Sequence, residues 1–423
     1  MIPVLKAAPT RVRYAVLAMV FSAAFFTYLD RVFISVAAPL MQADLHLTLI
    51  QFAWVFTVFQ LAYGLLVLPS AWLGDQWGQR RMMMFIVSCW SLFTALTGAV
   101  RGLVSLLMTQ AIFGAAESGA FPTLSRSLSR WFPLEQRTRA NGVLWMGARS
   151  GAAFAPPIAV MLIAAVGWRW ALPIFGAGGL VWVLIWALWY RDDPANHPAV
   201  NGAELAIIRS GAAPAPNETQ QVPWARMLAD PNMLLLFTTY FCSGFGFSFF
   251  VTWMPTYFTR EFGISLTKSG FYSALPLAAG VAGCALGGIL ADAITRRTGN
   301  LVLGRRAIGC GGFLLGAAGY GAAIWMRSPV AAAVSLAVAF GAHDLTLPVL
   351  WATSTDVGGK FGGSSAGWIN LASCIAGMAA PLAMAALEQT FGSFNSVFYV
   401  ASVLYVLAGI AWLFIDPRKR IDS

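Results

Sequence analysis

The sequence predicts an all-α polytopic membrane protein of twelve transmembrane helices. Three observations predict it: a composition too apolar for a water-facing surface, apolar runs of membrane-spanning length, and basic residues gathered between those runs. Of 423 residues, 58% are hydrophobic and 10% charged. A soluble domain carries about a quarter charged residues, so the bilayer is the expected solvent for most of the chain.

Helices follow from the length of the apolar runs. A span needs ~20 mainly apolar residues. The runs fall at 14–41, 50–73, 83–100, 104–125, 141–165, 170–190, 232–257, 268–292, 306–326, 330–351, 366–388 and 394–415. Backbone polar groups exposed to lipid must be satisfied internally, which calls for helices. The runs are too long for the alternating strands of an outer-membrane barrel. The first run follows Lys6, Arg11 and Arg13 in the manner of a signal peptide. It is too long for one and lacks a small-residue cleavage pattern, so it is expected to be the first span.

The net charge of +10 does not point to nucleic acid, because the basic residues form short clusters beside the spans. Such clusters set topology. Twenty of the 27 lysines and arginines lie on one side, five on the other, and Arg31 and Arg149 within spans. Both termini are therefore expected in the cytoplasm. The five cysteines are far apart, inside apolar runs and without metal-ligand spacing, so they are expected to be packing residues. No cofactor or metal is expected. There is no G-x-x-x-x-G-K-[ST] loop for ATP, and no nucleophile–base or metal-ligand constellation that would make an enzyme.

Residues 191–231 form the longest polar stretch, with Pro194, Pro198, Pro214, Pro216 and Pro223. It divides the chain into an expected N-terminal six-helix bundle (1–190), a cytoplasmic linker (191–231) and a C-terminal six-helix bundle (232–423). The halves echo each other. Gly74-Asp75 with Arg80-Arg81 after the second span matches Gly288 and Asp292 with Arg296-Arg297 after the eighth. Gly151 and Pro156-Pro157 in the fifth match Gly377 and Pro381 in the eleventh. Repeats of this kind build many secondary transporters, with the substrate site between the halves near the midplane.

Ionisable residues inside a span cost roughly 2.5–3.5 kcal/mol each on insertion scales, so they mark function first. They are Asp30, Arg31, Glu117, Arg149, His343 and Asp344. An arginine fork suits a carboxylate, which makes Arg31 the expected anion-binding residue. The structural alternative is an ion pair with Asp30 or Glu117. Asp30 and Glu117 are candidate proton carriers, since burial and a neighbouring arginine pull a carboxylate's proton affinity in opposite directions. Their structural alternative is a static pair with Arg149. His343-Asp344 is either a proton relay or a satisfied hydrogen-bonded couple. Tyr28 and Tyr63 offer hydroxyls to a carboxylate or a sugar hydroxyl.

Several motifs carry a family resemblance. Gly74–Arg81 resembles the loop between the second and third helices of the major facilitator superfamily, with Ala71 in place of its first glycine. Tyr28-Leu29-Asp30-Arg31, Ser35–Pro39, Gly114–Glu117 with Phe121-Pro122, Trp131–Pro133, Gly167–Trp170 and Trp253–Tyr257 resemble the anion:cation symporter family. Its bacterial members include galactonate, glucarate and hexuronate transporters. The resemblance implies a major facilitator fold and alternating access. It implies a small organic-anion substrate carried with protons, a monomer, and the inner membrane. By position it implies substrate binding at Arg31, Tyr63 and Asn370, and near Trp351, Thr353 and Ser354, with proton coupling at Asp30 and Glu117. It also implies a gating latch at Asp75, Gly78, Arg80 and Arg81, for which plain loop structure is the alternative. Relatives often carry an arginine seven residues before Glu117, where this chain has Gln110; Arg149 is the expected substitute. An exchanger or facilitator without proton coupling, and a transport-inactive anion sensor, stand as alternatives on the same fold.

Overall fold

The computed structural model describes residues 8–210 and 224–421, apart from the side chains of 71, 75, 134, 135, 137, 138, 360 and 362–364. Among the described residues the secondary structure is helical throughout, with no strand. The elements are α1 (Val12–Asp44), α2 (Leu49–Trp77), α3 (Gln79–Thr97), α4 (Leu103–Glu117), α5 (Ala120–Trp131), α6 (Leu134–Trp189), α7 (Gly202–Arg209) and α8 (Trp224–Ala229). After these come α9 (Pro231–Thr252), α10 (Met254–Phe262), α11 (Leu266–Thr298), α12 (Leu301–Ala323), α13 (Pro329–Gly358), α14 (Gly362–Phe391) and α15 (Asn395–Phe414).

Ten helical stretches among the described residues are long and apolar enough to cross a membrane. One of them, Arg139–Trp189, holds two expected spans. It is broken at Gly167, whose φ of 77° lies in the left-handed region that favours glycine. The 19-residue α3 brings the set to the twelve read from the sequence. α4 and α5 together form the fourth span, and α9 runs into α10 across Trp253. Several helices outrun their apolar segment, α13 reaching Gly358 where hydropathy ends near 351. Hydropathy marks the lipid boundary, whereas backbone hydrogen bonding continues into water.

Local chemistry fixes the ends. Asp230, Ser265, Asn300 and Ser328 each accept a backbone N–H in the first turn of α9, α11, α12 and α13, with proline at the start of α9 and α13. Gly263, Gly299 and Gly392 close α10, α11 and α14 in the left-handed conformation.

The chain divides into two compact units. The first comprises 1–30, 62–151 and 169–219; the second comprises 31–61, 152–168 and 220–423. In the first unit, α6 lies directly on α1. A Cβ on Gly151 would stand 2.1 Å from the Phe25 carbonyl oxygen, and one on Gly147 would stand 2.4 Å from that of Phe21. In the second unit α11 crosses α13 through glycines, since a Cβ on Gly283 would stand 2.1 Å from the Gly341 oxygen. Small residues at such crossings let helices meet in lipid, where no hydrophobic force drives association.

The polar stretch after α6 is tied to the first unit by specific bonds. Asp192 Oδ1 accepts the Arg80 N–H at the start of α3 (2.9 Å). Trp131 Nε1 donates to the Arg191 carbonyl (3.0 Å). The fully buried Glu204 accepts the N–H groups of Val12 and Arg13 (3.1 Å each) and the Thr10 hydroxyl (2.5 Å), capping α1 from a distant segment. Removing a buried acceptor of this kind leaves donors unsatisfied at about 1–3 kcal/mol. Glu204→Ala is therefore expected to lower the melting temperature of the purified protein, with Glu204→Gln recovering part of the loss.

His197 is buried between Trp131 and Trp189, at 5.6 and 4.7 Å between ring centres. Its Nδ1 accepts the Ala199 N–H (3.3 Å), a bond that suits the neutral ring. Burial first, and then the Arg191 cation, hold its pKa below the ordinary 6.5. The unfolded chain therefore binds the proton more readily. The stabilisation is complete above the ordinary pKa and is lost as pH falls through it toward the lower folded value. His197→Phe is expected to flatten the fall in melting temperature between about pH 7.5 and about pH 5.5.

Candidate functional site

The first unit gathers Asp30, Glu117 and Arg149 in its interior, all buried. Asp30 sits near the middle of α1, Glu117 at the end of α4, and Arg149 on the part of α6 that lies on α1. Asp30 and Glu117 are close enough for their charges to interact. The chain turns just after Glu117, where the Ser118 hydroxyl bonds Ser70 of α2 (2.8 Å). At Gly119 a Cβ would stand 2.9 Å from both Ser70 and Ile86, so α2 and α3 press against the break.

An aromatic wall stands beside these charges. Phe121 stacks on Trp145 at 4.9 Å and 14° between planes, and Tyr28 meets Phe121 edge-on at 6.1 Å. Phe121 follows Glu117 by four residues and Trp145 precedes Arg149 by four, so each stack member is about one helical turn from a charge. Trp145 is exposed and Phe121 half-buried. Tyr63 of α2 is half-buried in the same unit. Gln110 is buried and its amide donates to Thr97 of α3 (3.4 Å).

The second unit holds Arg31, which is half-buried, its guanidinium 5.2 Å from the centre of the Phe59 ring. A cation over an aromatic face is stabilised by the ring's quadrupole. Cys374 of α14 lies within charge range of Arg31 and beside Gln60 of α2. A Cβ on Gly377 would stand 3.0 Å from Gln60. Asn370, Cys374 and Gly377 share one face of α14 at i, i+4 and i+7. Asn370 is therefore on the face turned toward Arg31 and Gln60.

Trp351 is half-buried and meets Tyr240 of α9 edge-on at 6.0 Å. Thr353 and Ser354 are fully buried and engaged, Thr353 by Arg305 (3.3 Å) and Ser354 by Ser365 (2.7 Å). Arg305 also bonds Asp356 (2.7 Å), a clamp between α12 and the end of α13.

The loop expected to gate is placed in part. The Asp75 side chain lies outside the described residues. Gly78 has φ 83°, and a Cβ there would stand 2.6 Å from Asp192. Arg80 donates through both Nε and Nη2 to the Ala187 carbonyl near the end of α6. Arg81 is exposed. Gly78 and Arg80 thus hold α3, α6 and the following segment together. His343 and Asp344 are buried side by side in α13, His343 Nε2 3.6 Å from Asp344 Oδ1. No group of three or more His, Cys, Asp or Glu among the described residues could hold a metal ion.

Phe121 and Trp145 entered the sequence reading only within a motif or not at all, and Gln60 was not singled out. Helical spacing carried a signal for Phe121 and Trp145, each four residues from a buried charge, and none marked Gln60.

Helices of this number and length among the described residues, with ionisable side chains kept inside four of them, define a multi-pass membrane protein of the transporter class. The chain belongs to the Major Facilitator Superfamily, whose model matches residues 20–381. This is a family of transporters, not enzymes. Over 98% of its length the chain is 34% identical to the probable sulfoacetate transporter SauU of Cupriavidus necator, covering 96% of that protein. It is 29% identical to the D-galactonate transporter of Escherichia coli O6:H1, over 99% of each. It is 30% identical to the probable galactarate/D-glucarate transporter GudP of E. coli K12, over 98% of this chain and 95% of that one. These relatives are organic-anion transporters. The fold is also that of a bacterial homologue of the human lysosomal transporter Spinster, at TM-score 0.75 and 19% identity over 96% and 98% of the two chains.

Proposed function

We propose that the protein is a proton-coupled symporter that imports a small organic anion by alternating access. The observation that carries this reading is the adjacent pair Asp30-Arg31. The carboxylate belongs to the buried set with Glu117, while the guanidinium stands half-buried over Phe59. A fixed cation binds the anion, and two interacting carboxylates bind the protons that accompany it. Two six-helix halves, 1–190 and 232–423, rock about the substrate, with 191–231 joining them. The excess of basic residues supports an inner-membrane protein with both termini in the cytoplasm.

The anion is a carboxylate or a sulfonate. Relatives named for sulfoacetate and for sugar acids support that range. Tyr28, Tyr63, Trp351 and Asn370 are the further candidate substrate-binding residues, offering hydroxyls, aromatic surface and an amide, and Arg149 is the candidate second cation. Asp75, Gly78, Arg80 and Arg81 act at the inner gate. The second reading is an exchanger or facilitator without proton coupling.

A melting-temperature panel on the purified protein tests the substrate class. It contains sulfoacetate, D-galactonate and D-glucarate beside neutral and cationic compounds, at two pH values. An organic acid should stabilise the protein, more strongly at the lower pH. Stabilisation by neutral or cationic compounds alone contradicts the anion.

A further inference from the structure

The proposed cycle leaves one buried titratable pair of the second unit unused. Among the described residues of that unit, His343 and Asp344 are the only buried acid and base of the Asp, Glu, His, Lys and Arg types. Both nitrogens of the imidazole are in contact with polar groups. Nδ1 is 2.9 Å from the Tyr405 hydroxyl and 3.3 Å from the Ser243 hydroxyl, and Nε2 is 3.6 Å from Asp344 Oδ1. The ring is held between Phe247 and Phe340, at 5.8 and 5.6 Å.

Two features make this more than a packed polar couple. First, the pair holds one proton at zero net charge in two ways: imidazolium with carboxylate, or neutral imidazole with carboxylic acid. Burial makes the pair's net charge sensitive to its surroundings, so a change of those surroundings between transport states can load or unload the proton. Second, the partners at Nδ1 are hydroxyls. A hydroxyl donates to a bare ring nitrogen and accepts from a protonated one, so Tyr405 and Ser243 can follow a proton onto or off Nδ1 by rotating. A backbone carbonyl could serve only the protonated nitrogen.

The surroundings press closely on the pair. A Cβ on Gly280 of α11 would stand 2.5 Å from Asp344 Oδ2, and only a glycine lets α11 pass that close to the carboxylate. The titratable groups facing the pair are Tyr405 from α15, Tyr320 from α12 (5.3 Å from Tyr405 between ring centres) and Cys242 from α9, within charge range of Tyr405. α11 offers Cys284, one turn beyond Gly280. α14 has Cys374, and Glu388, paired with Arg260 at 2.8 Å.

We propose that His343 and Asp344 form a second proton-binding site, built wholly within the second unit, which exchanges one proton per transport cycle through the Tyr405 and Ser243 hydroxyls. The proposal rests on the proton-coupled reading above. It raises the proton count beyond what Asp30 and Glu117 carry.

Infrared difference spectroscopy of the purified full chain, in an Asp30→Asn/Glu117→Gln background, follows the protonated-carboxyl stretch from about pH 5 to about pH 9. A titrating signal is expected, lost in Asp344→Asn and moved in midpoint by His343→Gln and by Tyr405→Phe. A signal that does not change with pH overturns the site. So does one whose midpoint ignores both His343→Gln and Tyr405→Phe, which covers the case in which Asp344→Asn fails to fold. In proteoliposomes, with whichever of sulfoacetate or D-galactonate stabilises the protein, His343→Gln is expected to lower the protons moved per anion by one. An unchanged count overturns the transport role. Gradient-driven wild-type uptake beside a silent carboxyl signal refutes this site and leaves the coupling of Asp30 and Glu117 standing. Uptake indifferent to the gradient refutes the coupling itself, whatever the signal does.

Discussion

Arg31→Ala is expected to weaken binding of the transported anion by about a hundredfold or more while leaving the protein folded. The guanidinium stands half-buried over Phe59 and in charge range of Cys374 on α14. An anion bound there exchanges its hydration for this cation. Truncating one partner of a desolvated, hydrogen-bonded charge pair costs about 2–5 kcal/mol, and each ~1.4 kcal/mol is tenfold in affinity. Arg31→Lys should recover only part, because an ammonium keeps the charge but not the two-pronged geometry. The measurement is anion affinity from concentration-dependent stabilisation, with the melting temperature of the unliganded protein as control. If Arg31 is only a structural partner of Asp30 or Glu117, alanine lowers that baseline melting temperature and leaves affinity intact.

Glu117→Gln is expected to abolish gradient-driven accumulation and to spare exchange of internal for external anion. Glutamine mimics the protonated acid in shape and charge, so the carrier is fixed in its loaded form. Glu117 is fully buried and interacts with Asp30, so its charge matters to its neighbours. Reorientation with substrate aboard needs no change at this position, and exchange should continue. Net uptake needs release of the proton, and it should stop. A static ion pair predicts otherwise: glutamine would then lower melting temperature and reduce both modes together. Asp30→Asn should follow the same pattern, which tests whether the two carboxylates act as one set.

Much of the fold was legible because a bilayer imposes one requirement on every span. Lengths and apolar character therefore located the twelve helices. The way some of them join was not legible. Gly167 separates the fifth and sixth spans by conformation rather than by polarity, its left-handed φ breaking the helix with no polar loop between them. The linker was legible only as polar. That Glu204 caps α1 and Asp192 caps α3 depends on which chain ends meet, and composition carries no such information.

The charged residues of the site stood out because charge in a span is costly. Their companions did not. Phe121 and Trp145 are two aromatics among many, and only the stack at 4.9 Å distinguishes them. Gln60 is one amide on a long apolar helix until α14 brings Cys374 to it. For His343 and Asp344 the sequence offered a relay or a couple. The Tyr405 and Ser243 hydroxyls at Nδ1 add the reason to favour proton exchange.

The most direct test of proton-coupled anion import is uptake into proteoliposomes, with sulfoacetate and D-galactonate as probes and the membrane potential clamped. With an inward proton gradient, one of these anions should accumulate above its external concentration. A protonophore should collapse that accumulation to equilibration. Uptake that reaches the same level with and without the gradient would contradict the account.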